Sequence, residues 1–348
     1  MYSQGPVKLR AVDKSPGAAM VEIMPAQISR RRFVESALLA SAAVPLTLNA
    51  QGDATPATTA PAAAADAAPR DALPLGKIGN QEFSRLMMGG NLIAGCSHSR
   101  DLNYVSTLMR RYNTPAKVRE TLELGEHHGI TAINTFVMDD NQQIFDHWKC
   151  GGKMKWVAQA RMDGRGGFSQ IQKAIDDGAS AIHLTADAAE GLLDQGKLDK
   201  IAEAMQFIKG QKRGAGIAGH DLRALVACEK AKVDLDFYQK TFHSHDYFSA
   251  QRPDDTGPVG ANDNSWCKDP QAVVDFMAGV KKPWIAFKVL AAGALQPRAA
   301  FPHAFTSGAD FILVGMFDWQ IEEDAKLAKH VLAVVAGASS KRTRPWYG

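Results

Sequence analysis

Residues 180–220 read SAIHLTADAAEGLLDQGKLDKIAEAMQFIKGQKRGAGIAGH. The two ends, Ser180–Ala186 and Gly214–His220, are short apolar runs without polar alternation, the pattern of strands buried on both faces of a parallel sheet. Between them the spacing predicts a helix over Leu198–Lys209. The same unit recurs in both directions. Toward the N-terminus, strands are predicted at Arg85–Gly90, Ile130–Phe136 and Met154–Met162, with helices at Pro115–His128, Gln142–Gly152 and Ser169–Asp177. Toward the C-terminus, strands are predicted at Asp236–His243, Pro283–Leu290 and Asp310–Met316, with helices at Leu222–Ala231, Pro270–Val280, Arg298–Ser307 and Ile321–Val335. Eight strand–helix units in about 260 residues have the count and size of a (β/α)8 barrel. An open, doubly wound sheet rarely needs so many strands.

A barrel of this kind carries its function at the C-terminal ends of its strands. The polar residues predicted there are Asn91, Asn134 with Thr135, Gln159 with Arg161, His183 with Thr185, His220, Thr241 with His243, and Lys288. Two connections exceed barrel norms, 91–114 and 243–269. The second holds Tyr247, Phe248 and Trp266, which are costly to leave in water and favour a lid over the mouth.

Composition fits one globular domain behind a tethered front. The chain has 348 residues, 45% hydrophobic and 22% charged, with a net charge of +3 that gives no sign of nucleic-acid binding. Cys96, Cys150, Cys228 and Cys267 have no paired spacing, and buried free thiols are expected rather than disulfides. Residues 1–50 contain SRRRFVESALLASAAVPLTLNA at 29–50, basic residues followed by a mildly apolar run too short for a permanent span. It resembles a twin-arginine export signal, read by the export machinery, and implies a periplasmic or otherwise exported protein. The Ala/Pro/Thr-rich segment 51–71 reads as a linker and 72–348 as the barrel.

Across the barrel, the order of motifs resembles the aldo/keto reductase superfamily. The family's Gly-x-x-x-Ile-Asp-Thr-Ala is matched by GITAINTF at 129–136, its strand-four histidine by His183, its Gly-x-Ser-Asn strand by GAGIAGH at 214–220, and its Ser-Pro-Leu-x-x-Gly-x-Leu by KVLAAGAL at 288–295. The resemblance implies a small polar substrate such as a sugar or hydroxy-carbonyl compound, an acid/base role for His183, and a nicotinamide cofactor near Lys288, Gly293 and Gly315. The departures fall on the chemistry. Asn134 stands at the family's aspartate, Gln159 or Arg161 at its lysine, and Asp139 is nearest its tyrosine. An amide cannot supply the charge of that aspartate, nor a carboxylic acid the pKa of that tyrosine. The arginine that meets the 2′-phosphate of NADP is also missing, so weak NAD(P) binding is expected.

The residues themselves leave two other classes open. His183, His220 and His243 end three successive strands and suit a transition-metal site for a lyase, isomerase or hydrolase, with His245 or Asp246 as further ligands. Lys288 and Arg161 suit an anionic group, and Lys288 a Schiff base. A non-catalytic binding barrel is the remaining class. Replacing Arg30, Arg31 and Arg32 together by Lys should leave the chain unprocessed in the cytoplasm, scored by cell fractionation. Normal export of that variant would refute the reading of residues 29–50.

Overall fold

The computed structural model describes residues 72–336 and 344, apart from 97, 100, 101, 103, 139, 140, 164, 165, 251–255 and 257–265. The signal and linker segments, Asp139, and part of the long loop lie outside the described residues. A hairpin, β1 (Leu75–Ile78) and β2 (Gln81–Ser84), precedes eight parallel strands: β3 (Leu86–Gly89), β4 (Ala132–Phe136), β5 (Lys155–Ala160), β6 (Ala181–Leu184), β7 (Gly214–Gly219), β8 (Phe237–Thr241), β9 (Trp284–Phe287) and β10 (Phe311–Val314). Each pairs with the next and β10 closes on β3, so the sheet is a closed (β/α)8 barrel.

The helices are α1 (Tyr104–Tyr112), α2 (Pro115–His127), α3 (Gln142–Lys149), α4 (Ser169–Asp176), α5 (Ala186–Asp194), α6 (Leu198–Gly210), α7 (Arg223–Lys230), α8 (Pro270–Gly279), α9 (Pro297–Thr306) and α10 (Asp318–Ala336). All eight predicted strands are present. Three elements depart from expectation. The connection 91–114 contains α1, which buries none of its residues and so carries no core-facing stripe to read. A second helix, α5, starts directly after β6, where one helix per strand was expected. The hairpin was not anticipated. Among the described residues, no helix is long and apolar enough to cross a membrane.

The hairpin matters because it fills the barrel from below. Ile78 and Phe83 belong to the interior cluster of Met87, Ala132, Val157, Ala181, Phe237, Ile285 and Phe311. Its tip abuts the start of β7, since a Cβ on Gly79 would lie 3.3 Å from the Gly214 Cα. Alternation along each strand divides the core. On β8, Phe237 packs inside the barrel, while Tyr238 packs with the strand–helix layer. Phe237 takes up the space that a side chain at Gly216 would occupy, for a Cβ there would lie 2.6 Å from its ring. We expect Gly216→Val to cost about 1–3 kcal/mol in urea unfolding, and Phe237→Leu in the same chain to recover part of that loss. Additive losses would show that the ring and the glycine are not in contact.

Candidate active site at the barrel mouth

A cavity of about 610 Å³ opens at the C-terminal ends of the strands. Its floor is polar but uncharged. Asn134 on β4, Gln159 on β5, Thr185 after β6 and Gln239 on β8 all line it. Gln159 Nε2 donates to Asn134 Oδ1 at 2.7 Å, and Asn134 Nδ2 donates to the Val157 carbonyl at 3.2 Å. The same Nδ2 lies 3.0 Å from His183 Nε2, and His183 Nδ1 lies 3.0 Å from the Leu184 carbonyl. An amide nitrogen only donates and a carbonyl only accepts, so these contacts assign one tautomer. His183 accepts at Nε2 and carries its proton on Nδ1. Burial pushes its pKa down to about 4, which keeps it neutral.

His183 is fully enclosed and is not among the residues lining the cavity. With both ring nitrogens engaged, it holds the Asn134 amide from beneath the floor. Gln159, not Arg161, faces Asn134, so a neutral amide pair stands at this point of the floor. Arg161 is half exposed and forms an ion pair with Asp187 at 2.7 Å on the rim; Asp187 lines the cavity and Arg161 does not.

The structure does not bring His183, His220 and His243 together. Among the described residues no group of three or more His, Cys, Asp or Glu side chains is placed to hold a metal ion. His183 lies below the floor. His243 is buried, which pushes its pKa down to about 4, and its Nδ1 donates to the Ser244 carbonyl at 3.0 Å. Its Nε2 accepts the Trp266 and Cys267 amides at 3.2 and 3.0 Å, so it pins the far end of the long loop. His245 Nε2 is 2.5 Å from the Cys267 carbonyl and serves the same loop. His220 alone of the three lines the cavity, tilted against the Trp266 ring at 4.6 Å.

On the opposite wall Lys288, Gly293 and Gly315 line the same cavity. Lys288 Nζ lies 2.8 Å from His98 Nε2 and 3.8 Å above the Trp266 ring. Gly293 has φ +86, and Gly315 leaves its backbone open to Leu92, whose Cγ would lie 3.2 Å from a Cβ there. The helix after Gly315 begins at Asp318, earlier than Ile321, and Asp318 accepts from the Tyr112 hydroxyl at 2.7 Å and Lys117 Nζ at 3.0 Å.

Three residues were missed from the sequence, Gln239, His98 and Lys240, whereas Thr185 was read there as a strand-end residue. Gln239 and Thr185 are buried and line the cavity, and Gln239 Oε1 and Thr185 Oγ1 have no protein hydrogen-bond partner. Gln239 lies two residues beyond Phe237 on the inward face of β8, so strand parity was the available signal. His98 comes from the first long connection. Lys240, buried on β8, donates to the His220 and Thr241 carbonyls at 2.7 and 2.9 Å and ties the rim together. All four cysteines are free, as expected, but only Cys228 and Cys267 are buried.

The buried imidazoles set a pH dependence. Between about pH 6.5 and 4 the unfolded chain binds protons at His183 and His243 that the folded chain refuses, so stability falls as pH drops through that window. Each histidine accounts for about 3 kcal/mol at the lower end. Asp324, whose carboxyl is raised by burial to about 6, opposes part of this. Urea midpoints should therefore fall between pH 7.5 and 4.5, and fall less in His243→Gln.

No known protein family matches the chain, and no curated protein matches it in sequence. Solved structures do match in shape. A Pseudomonas aeruginosa chain described as an aldo-keto reductase superimposes with a TM-score of 0.53 at 14% identity, over 76% of this chain and 98% of that one. Gox0644 in its apo form gives 0.49 at 9% identity, over 78% and 98%. At such identity the first likeness is one of fold alone, the closed (β/α)8 barrel.

Proposed function

We propose that this chain is an exported barrel enzyme acting on a small hydroxylated compound, a sugar or hydroxy-carbonyl, by chemistry other than tyrosine-dependent carbonyl reduction. One observation carries the reading. Two residues that line the cavity, Gln239 and Thr185, each carry a buried polar atom, Oε1 and Oγ1, without a protein partner. An unmatched buried polar group costs about 1–3 kcal/mol, and where one is retained it calls for an explanation. A ligand hydroxyl both donates and accepts, so it can meet the threonine hydroxyl and the glutamine carbonyl together. The neighbouring Asn134 and Gln159 are also neutral, which suits uncharged hydroxyls better than a buried ion.

In this reading His183 is a positioning residue for Asn134 and, through it, Gln159. Proton transfer falls to groups that line the cavity, namely His98, His220, Lys288 and Asp187. A nicotinamide cofactor fits the opposite wall poorly. Asp318 puts a carboxylate in the first turn of the helix next to it, and the Phe317 and Trp319 rings stack on each other at 4.4 Å. Weak NAD(P) binding is therefore expected.

Thr185→Val and Gln239→Leu remove the unmatched atoms at nearly constant shape. Thr185 heads α5 without a side-chain capping bond, so valine there loses no cap. We expect both variants to melt no lower than wild type, and to lose at least about tenfold in affinity for whichever pentose or hexose binds wild type in a calorimetric panel. NADPH in the same panel should show no micromolar binding. Unchanged sugar affinity in both variants would overturn the assignment of the floor.

A further inference from the structure

We propose that Glu190 and His220 form the acid–base pair of this cavity. Glu190 is a positioning residue that draws the Nδ1 proton of His220 toward itself, and His220 Nε2 moves a proton of the bound ligand. The proposal rests on the reading of the cavity as a hydroxy-carbonyl site and adds the group and the step to it.

The first observation is how this histidine is held. His220 directly follows β7 and lines the cavity. Its backbone is fixed from two sides. Its amide donates to Glu190 Oε1 at 2.5 Å, the Asp221 amide donates to the same oxygen at 3.1 Å, and its carbonyl accepts from Lys240 Nζ at 2.7 Å. Its ring is tilted against Trp266 at 4.6 Å and Phe287 at 6.0 Å, and both of these residues also line the cavity. Backbone and ring are both restrained, which proton transfer to a bound ligand requires.

The second observation is the carboxylate. Glu190 stands in α5, the helix inserted after β6, one turn beyond Asp187, which lines the cavity. Its Oε1 is engaged by the two amides, and its Oε2 lies 3.6 Å from His220 Nδ1, with both side chains largely buried. That is an ion-pair separation rather than a hydrogen bond, and contacts of this kind often tighten when a ligand binds. A carboxylate only accepts, so it favours the tautomer with the proton on Nδ1 and leaves a lone pair on Nε2.

The third observation is the contrast with the other strand-end histidines. His183 and His243 engage both ring nitrogens with the protein. Among the described residues, no hydrogen bond reaches His220 Nε2. The step needs no other reactant. On a hydroxy-carbonyl ligand, Nε2 takes the proton from the hydroxyl-bearing carbon next to the carbonyl. The C–H electron pair shifts to give an enediolate with its charge on the carbonyl oxygen. The imidazolium exchanges its proton with water and returns one to the same carbon.

The test takes two measurements on the full-length chain. In spectra of 15N-histidine-labelled protein at about pH 8, above the range of a free imidazole, wild-type His220 should carry its proton on Nδ1. Its signals are identified by their loss in His220→Gln. In Glu190→Gln the amide oxygen keeps the two backbone amides and an NH2 group replaces Oε2, so the proton should move to Nε2. The second measurement follows deuterium uptake from D2O at the carbon next to the carbonyl, with glyceraldehyde, dihydroxyacetone, xylose and fructose as probes. At least one should bind in calorimetry and exchange faster than without protein. Its exchange rate at saturation should fall about 100-fold in His220→Gln and at least about tenfold in Glu190→Gln, with affinity nearly unchanged. Binding without exchange, or exchange that survives His220→Gln, would overturn His220 as the proton carrier and leave the floor standing. A wild-type ring protonated on Nε2 would overturn Glu190 as its positioning residue. Failure of all four probes to bind would overturn the reading of the floor and the proton transfer with it. Should Glu190→Gln not fold, as judged by circular dichroism, the wild-type tautomer and the His220→Gln exchange rate still decide.

Discussion

Eight parallel strands closed into a barrel enclose an interior that must be filled, and everything about this site follows from how that filling is shared. The lower interior is apolar, built from Phe237, Phe311 and Ile285 and sealed by Ile78 and Phe83 of the hairpin. Gly216 gives up its side chain so that the Phe237 ring fits beside it. With the bottom closed, a cavity of about 610 Å³ lies at the mouth, where the loops begin. Packing density close to that of a crystal leaves no intermediate option: a layer is either filled or a binding space.

At the boundary between those layers lies a chain of neutral hydrogen bonds, from Gln159 to Asn134 to His183 to the Leu184 carbonyl. A buried ion pair in this place must recover a large desolvation cost from its own geometry. Two amides and a neutral imidazole avoid that cost and still fix every orientation, because each group has one assignment consistent with its neighbours. The result is a self-consistent neutral network whose acid/base capacity is low and whose directional precision is high. Charged side chains that line the cavity stand away from this network, Asp187 at the rim and Lys288 on the opposite wall against Trp266 and His98.

The loop that supplies Trp266 is anchored by the same economy of neutral groups. His243 accepts two backbone amides and donates to a carbonyl, which uses all its hydrogen-bonding capacity on the main chain. Lys240 does the equivalent for the ends of β7 and β8 by donating to the His220 and Thr241 carbonyls. Polar residues that attract a catalytic reading in a strand-end position thus serve to hold the rim. Trp266, carried on that anchored segment, touches both His220 and Lys288.

The strands were legible because hydrophobic runs such as Phe311–Val314 and Trp284–Phe287 are properties of the local chain, and their number and order are enough to specify a closed parallel barrel. The hairpin was not legible, since its alternation is short and its partner surface, the barrel floor, is assembled from strands far away in sequence. The same division runs through the site. Sequence placed His183, Asn134 and Lys288 at strand ends, and so near the mouth. It could not say that His183 lies beneath the floor, that Gln159 rather than Arg161 meets Asn134, or that Gln239 and Thr185 each bury an unmatched polar atom. Those facts depend on side-chain parity and on which neighbour strand presents which partner. A shift of one residue turns a side chain to the other face of the strand, and only closure of the whole barrel sets that register.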